Sequence, residues 1–112
     1  MKEPLRVCQT TELKPEMRER YLELHAAVWP AVEAGIRSAH IENYSIFVRG
    51  NTLVGYFEYV GDDLAADLAV LDDDPDMQRW LELTDPCQVD PEPGQPGGPW
   101  RDLTLAWHLS NG

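Results

Sequence analysis

The chain has 112 residues, enough for one modest hydrophobic core, and we expect residues 1–112 to form a single domain. Its formal charge of −11 repels phosphate backbones and anionic bilayers, which argues against nucleic acid and membrane partners. The two cysteines fit neither a disulfide framework nor a zinc site, and there is no apolar leader or run of about 20 apolar residues. The sequence therefore predicts a soluble cytoplasmic protein.

The first two elements are a short strand and a long helical stretch. Alternation over residues 5–10 predicts the strand, and Pro15 is placed to open a helix that runs to about Ser38. Pro30 cannot donate the hydrogen bond that a continuous helix requires, and it pushes Trp29 away from helical angles. We expect the helix to break at Trp29 and a second short helix to begin at Pro30.

The stretch from Arg20 to Pro30 carries polar rings at helical spacing. On one continuous helix, Tyr21, His25 and Trp29 would form a single row, because they are four residues apart. The row lies beside an apolar stripe that favours burial, made of Met17, Leu24, Val28, Val32 and Ile36. Tyr21 and His25 are thus placed to border a pocket from a rigid helix.

Residues 40–60 are typical of a β-hairpin with Gly50-Asn51 as its two-residue loop. This loop pairs Arg49 with Thr52 and fixes the register. One face is expected to carry Tyr44, Ile46, Val48, Leu53, Gly55, Phe57 and Tyr59, and to be covered by helices. The opposite face pairs Asn43 with Glu58, Ser45 with Tyr56 and Phe47 with Val54. Because Phe47, Val54 and Tyr56 form an apolar patch there, we predict a homodimer through that face.

The remaining chain predicts two helices, a loop and a strand. Residues 62–71 and 75–84 are helical in pattern, and Asp74 is expected to cap the second helix. Residues 85–99 hold five prolines and three glycines, which indicates a loop. A last strand is expected from the alternation of Leu103, Leu105, Trp107 and Leu109 with smaller or polar residues. The order βαββαβ is that of the α+β, ferredoxin-like split βαβ fold, with an antiparallel sheet and the helices on one face.

Two groups of residues suggest chemistry. His25 can exchange protons near neutral pH, although a histidine on the side of a helix can also simply bond a backbone carbonyl. Tyr44 and Trp80 belong to a set of large rings that could stack on a sugar or could simply fill the core. The acidic run at residues 72–76 lacks the spacing of a calcium loop, and a solvated helix start explains it. No metal or other cofactor is predicted.

Three motifs in the same order resemble the L-rhamnose mutarotase family. They are Y-x-x-x-H-x-x-x-W-P at Tyr21 to Pro30, N-Y-S-I from Asn43 and Q-R-W from Gln78. The resemblance implies a dimeric ferredoxin-like αβ barrel that interconverts the α and β anomers of a 6-deoxy sugar without a cofactor. It also implies a catalytic role for His25 and sugar contacts from Tyr21, Tyr44 and Trp80. Leu81 stands where the family has a second tryptophan, so the sugar could be L-rhamnose, L-fucose or a relative.

The implied reaction needs one acid and one base, and we expect His25 to protonate the ring oxygen while Tyr21 orients the sugar or relays a proton. Tyr44 would bond a hydroxyl, and Trp80 would cover the apolar face of the ring. Two other functions remain compatible with the sequence. One is a cofactor-free monooxygenase of the dimeric ferredoxin-like barrel type, and the other is a non-catalytic module that binds a small molecule or a partner.

Overall fold

The computed structural model describes residues 3–89 and 99–110. The elements in these ranges are β1 (Leu5–Leu13), α1 (Arg18–His25), α2 (Pro30–Ser38), β2 (Ile41–Arg49), β3 (Thr52–Tyr59), α3 (Leu64–Asp72), α4 (Pro75–Thr84), β4 (Gln88–Val89) and β5 (Arg101–Asp102). Short 3-10 turns precede α1 at Pro15–Met17 and follow α4 at Asp85–Cys87. The predicted first strand, helical stretch, hairpin and two later helices are all present.

The strands form one antiparallel sheet with β1 near its centre. Its order is β2-β3-β1-β4, and β5 also pairs with β1. The two short strands share one edge of β1, with β4 beside Glu12 and Leu13 and β5 beside Gln9 and Thr10. The helices cover one face, called here the inner face, and leave the other, the outer face, without a helix layer. The α+β ferredoxin-like class is confirmed.

The hairpin register is confirmed from Arg49–Thr52 to Ser45–Tyr56, beyond which β2 carries one extra residue. Glu42, rather than Asn43, lies opposite Glu58, so the predicted pairing of Asn43 is wrong at the level of the backbone. Asn43 has a φ of 53°, a left-handed conformation that asparagine tolerates well. This β-bulge turns Ile41 to the inner face, where it is buried.

The predicted helix break is also confirmed. The helix α1 ends at His25, and α2 begins at Pro30 with Trp29 as an extended N-cap residue. The row expected on a continuous helix is therefore interrupted, because Trp29 lies outside α1. Tyr21 and His25 keep their one-turn relationship.

The acidic residues after α2 serve as helix caps. Asp63 accepts a hydrogen bond from Ala66 N at the start of α3, and Asp74 accepts from Asp76 N and Met77 N at the start of α4. The predicted cap at Asp74 is confirmed. No group of three or more His, Cys, Asp or Glu side chains in residues 3–89 and 99–110 is arranged to hold a metal ion.

The structure corrects the last part of the chain. The predicted loop at 85–99 begins later than expected, since residues 85–89 form a 3-10 turn and β4, while residues 90–98 lie outside the described ranges. The predicted last strand is wrong over residues 103–110, which hold no regular secondary structure. A strand needs a partner, and in the described chain the ladder of β5 with β1 continues only to a bond from Leu103 N to Cys8 O of 2.8 Å.

The core lies between the inner face and the helices, in three adjoining clusters. The buried members are Leu13, Tyr21, Leu53 and Cys87 in the first, Ala39, Ile41, Phe57 and Tyr59 in the second, and Val32, Met77 and Trp80 in the third. Burial alternates strictly along β3, as the predicted faces require. Among the helices that the structure describes, none is long and apolar enough to cross a bilayer.

Candidate active site

A cleft of about 1850 Å³ lies between the inner face and the helices. All five residues that the sequence predicts for the site line it, from three separate elements. Tyr21 and His25 come from α1, Tyr44 from β2, and Trp80 and Leu81 from α4. The fold therefore brings together residues that are up to sixty positions apart.

His25 is held in one orientation at the end of α1. Its Nδ1 lies 2.9 Å from the carbonyl oxygen of Tyr21, one turn earlier. Because a carbonyl can only accept, Nδ1 carries the proton and donates it, which leaves Nε2 of the neutral ring with a lone pair. The sequence left open whether His25 simply bonds a backbone carbonyl or has a catalytic role. The structure shows the carbonyl bond, and the same ring also lines the cleft.

Partial burial changes the protonation of His25. Loss of solvent lowers the pKa of the imidazole below its ordinary 6.5, while the bond to the Tyr21 carbonyl acts in the opposite direction and is the smaller effect. The neutral ring is therefore the dominant form at neutral pH. Such a ring offers an acceptor to a ligand in the cleft.

Tyr21 packs directly on His25. The two rings are stacked with centroids 4.2 Å apart, and Tyr21 is almost completely buried. Burial raises the pKa of its phenol, with smaller contributions of the same sign from Tyr44 and Cys87, whereas a hydrogen bond from Gln88 lowers it. Tyr21 consequently stays a neutral phenol that can orient a polar ligand.

Trp80 supplies the aromatic wall from α4. Its ring meets His25 edge-on at 5.3 Å and Trp29 edge-on at 5.2 Å, and only 5% of the residue is exposed. The break at Pro30 explains the second contact, because it releases Trp29 from α1 and turns it toward α4. Leu81 follows Trp80 along the cleft and presents a smaller apolar surface than a tryptophan would.

Tyr44 enters the cleft from the bulged part of β2. It stacks on Phe57 with ring centroids 5.5 Å apart. Loss of solvent raises the pKa of its hydroxyl, and Tyr44 in turn contributes to the raised pKa of Tyr21. One side of the cleft is therefore helical and the other is formed by the sheet.

Sequence reasoning missed several polar residues of the cleft. Asp85 lies just after α4, and burial raises the pKa of its carboxyl group. Gln88 on β4 is buried, and Gln9 and Asp102 form a pair across β1 and β5. Gln88, Gln9 and Asp102 reach the cleft through the pairing of β4 and β5 with β1. These pairings could not be predicted from the sequence, because β4 and β5 are only two residues long.

Comparison with known proteins decides the family. The family model of L-rhamnose mutarotases matches residues 6–109 of the chain. The chain belongs to the L-rhamnose mutarotase family. This family consists of isomerases that act on carbohydrate anomers, so the predicted enzyme class is confirmed.

Solved structures agree on the fold of this mutarotase-family chain. An L-rhamnose mutarotase from Formosa agariphila is similar over 95% of this chain and 99% of its own, with 20% identity and a TM-score of 0.72. A putative antibiotic biosynthesis monooxygenase from Nitrosomonas europaea matches over 92% of this chain and 88% of its own, with 13% identity and a TM-score of 0.62.

A polyketide cyclase, tetracenomycin F2 cyclase from Streptomyces glaucescens, matches over 95% of this chain and 99% of its own, with 13% identity and a TM-score of 0.66. At such identities the structures share only the fold, and one fold serves unrelated reactions. No curated protein sequence matches the chain significantly.

Proposed function

We propose that the chain is a cofactor-independent mutarotase that interconverts the α and β anomers of L-rhamnose or a related 6-deoxy hexose within one domain. The observation that carries the proposal is the fixed imidazole of His25, whose Nδ1 donates to the Tyr21 carbonyl while the ring lines the cleft. Anomer exchange needs a group that accepts and returns a proton at neutral pH. A neutral histidine with a lowered pKa is suited to that task.

The hydrogen bond refines the order of proton transfers expected from the sequence. His25 Nε2 has no proton to give while the ring is neutral, so it first accepts the proton of the anomeric hydroxyl. The C1–O5 bond then breaks, its electron pair passes to O5, and a carbonyl forms at C1. O5 takes a proton from the imidazolium, which lies within reach of both oxygens because O1 and O5 share C1.

The open-chain aldehyde completes the reaction by rotation and reversal. Rotation about C1–C2 presents the other face of the carbonyl to O5, and the same proton transfers in reverse close the ring. Tyr21, as a neutral phenol stacked on His25, orients the anomeric centre. Tyr44 hydrogen-bonds a sugar hydroxyl, and Trp80 with Leu81 covers the apolar ring face and the C6 methyl group.

An NMR experiment tests the reaction. Saturation transfer between the α and β anomeric protons is measured with wild-type protein on a panel of 6-deoxy and ordinary hexoses. We expect accelerated exchange for L-rhamnose or another 6-deoxy hexose. If no sugar exchanges faster than in buffer, the proposal fails. Oxygen uptake with a polycyclic phenol would then support the monooxygenase alternative, and sugar binding without exchange would support the binding module.

The protein also acts as a homodimer in this proposal, through the outer face of the sheet. Phe47 is 64% exposed there, beside half-buried Val54 and Tyr56. The C-terminal segment adds further exposed apolar side chains, namely Leu103, Leu105, Trp107 and Leu109. A monomer seldom leaves so many large apolar side chains in water, and a second copy would cover them.

Sedimentation at micromolar concentration checks the dimer. We expect wild type to sediment as a dimer and Phe47→Glu to shift toward monomer, because a charge would be buried in the interface. Ala34→Glu, on the exposed side of α2, is the matched control and should stay dimeric. A monomeric wild type would contradict the proposed assembly.

We also propose a cytoplasmic location, because Cys8 and Cys87 are free thiols and the cytoplasm keeps thiols reduced.

A further inference from the structure

The sheet side of the cleft carries a row of residues that the mechanism does not use. Strand pairing places Asp102 on β5 beside Gln9 on β1, Gln9 beside Gly55 on β3, and Gly55 beside Ile46 on β2. Asp102, Gln9 and Ile46 all line the cleft. The row faces the helices that carry His25 and Trp80.

The polar end of the row is preorganised. Gln9 Nε2 donates to Asp102 Oδ1 over 2.8 Å, which fixes the amide and the carboxylate relative to each other. Within the described residues, Gln9 Oε1 and Asp102 Oδ2 make no hydrogen bond. Two acceptor oxygens on hydrogen-bonded side chains are thus available at the cleft, and the hydroxyls of a sugar are donors that could bond to them.

Gly55 makes room for an aromatic surface beside this pair. A Cβ atom at Gly55 would lie 3.2 Å from Cζ3 of Trp100, so the indole ring packs on the strand only because no side chain intervenes. Trp100 also lines the cleft, two residues before Asp102. On the other side, Phe57 and Tyr44 form the next stacked pair along the sheet. Because Gly55 is the strand partner of Gln9, the Trp100 ring lies next to the polar pair along the sheet.

We propose that the Gln9–Asp102 pair is a second sugar-binding element, which accepts hydrogen bonds from two neighbouring hydroxyls while Trp100 supports the ring, and which restricts the substrate to uncharged sugars. This inference rests on the proposed mutarotase function. A carboxylate in a chain of net charge −11 repels uronic acids and sugar phosphates. It also makes the enzyme sensitive to the configuration of the hydroxyls that it binds, because an epimer leaves one acceptor unpaired.

Two substitutions at the pair test the inference. Asp102→Asn removes the charge and Gln9→Leu removes the amide. Each should raise the KM for L-rhamnose about tenfold while kcat is kept, because Asp102→Asn weakens a bond to a charged acceptor, and Gln9→Leu removes both a bond to the sugar and the bond that orients Asp102. Both should reduce the preference for L-rhamnose over at least one of its 6-deoxy epimers at C2, C3 and C4. Asp73→Asn, an exposed carboxylate at the end of α3, is the matched control.

The epimer preference separates binding from a purely structural role. If the pair only fastens β5 to β1, both variants lower the melting temperature and leave the preference unchanged, and the inference is overturned. Gly55→Ala provides an independent variant, because displacement of the Trp100 ring should raise KM without touching either polar group. If wild type itself exchanges no sugar, the proposed function fails. If wild type exchanges L-rhamnose and all variants match its KM and preference, only this inference fails.

Discussion

The helical and sheet walls of the cleft differ in chemistry. The helical wall holds the proposed acid–base group, His25, which is fixed by a backbone carbonyl and packed between Tyr21 and Trp80. The sheet wall holds hydrogen-bonding and stacking groups, Tyr44 and the Gln9–Asp102 pair. In the proposed mechanism, proton transfer belongs to the helical wall alone, whereas both walls contribute to recognition of the sugar. A change at His25 should affect kcat, and changes on the sheet wall should affect KM.

The largest expected effect is on the helical wall. His25→Ala should reduce kcat by about 10² to 10⁴-fold, the usual value of a positioned acid or base. The circular dichroism spectrum should not change, because the ring is only half buried. His108→Ala, at an exposed position outside the cleft, is the control. A His25→Ala enzyme with wild-type kcat would contradict the claim that proton transfer depends on the helical wall.

A smaller effect is expected on the sheet wall. Tyr44→Phe keeps the ring stacked on Phe57 and removes only the hydroxyl, so KM should rise by up to about tenfold, as for one neutral hydrogen bond. The value of kcat should change little. Steady-state rates with L-rhamnose measure both constants. A loss confined to kcat would place Tyr44 in the proton transfer instead, and proton transfer would then not be limited to the helical wall.

The pH dependence is the mildest test. The base form of His25 is neutral, and burial lowers its pKa below 6.5. The ratio kcat/KM should therefore be constant above neutrality and should fall as the pH drops through that lowered pKa, where the ring becomes protonated. An inflection above 6.5 would mean that the protonated ring persists at neutral pH. The residual activity of His25→Ala should lack the inflection.

The hairpin and the helix break were predictable because local rules decide them. Gly50-Asn51 selects the turn and therefore the register, and Pro30 ends one helix and begins the next regardless of the surroundings. The periodicity of α1 likewise predicted that Tyr21 and His25 would be neighbours. These features place the helical wall of the site.

The sheet wall was less accessible to sequence reasoning. The bulge at Asn43 adds one residue to β2 and thereby turns Ile41 inward, where it is buried. Burial of Ile41 is a tertiary effect, and a regular alternation in the sequence cannot reveal it. The pairing of β5 with β1 rests on two residues per strand, too few for a pattern. Gln9 and Asp102 were therefore missed. The segment after Asp102 has the alternation of a strand, but it forms none in the described part of a single chain.

The most direct test of the central claim is the tautomer of His25, measured by long-range ¹H–¹⁵N NMR of the wild type near neutral pH with and without L-rhamnose. The account predicts a neutral ring with the proton on Nδ1 and an unprotonated Nε2 whose resonance shifts when the sugar binds. A proton on Nε2, or an Nε2 resonance that the sugar leaves unchanged, would contradict the role of His25 as the base.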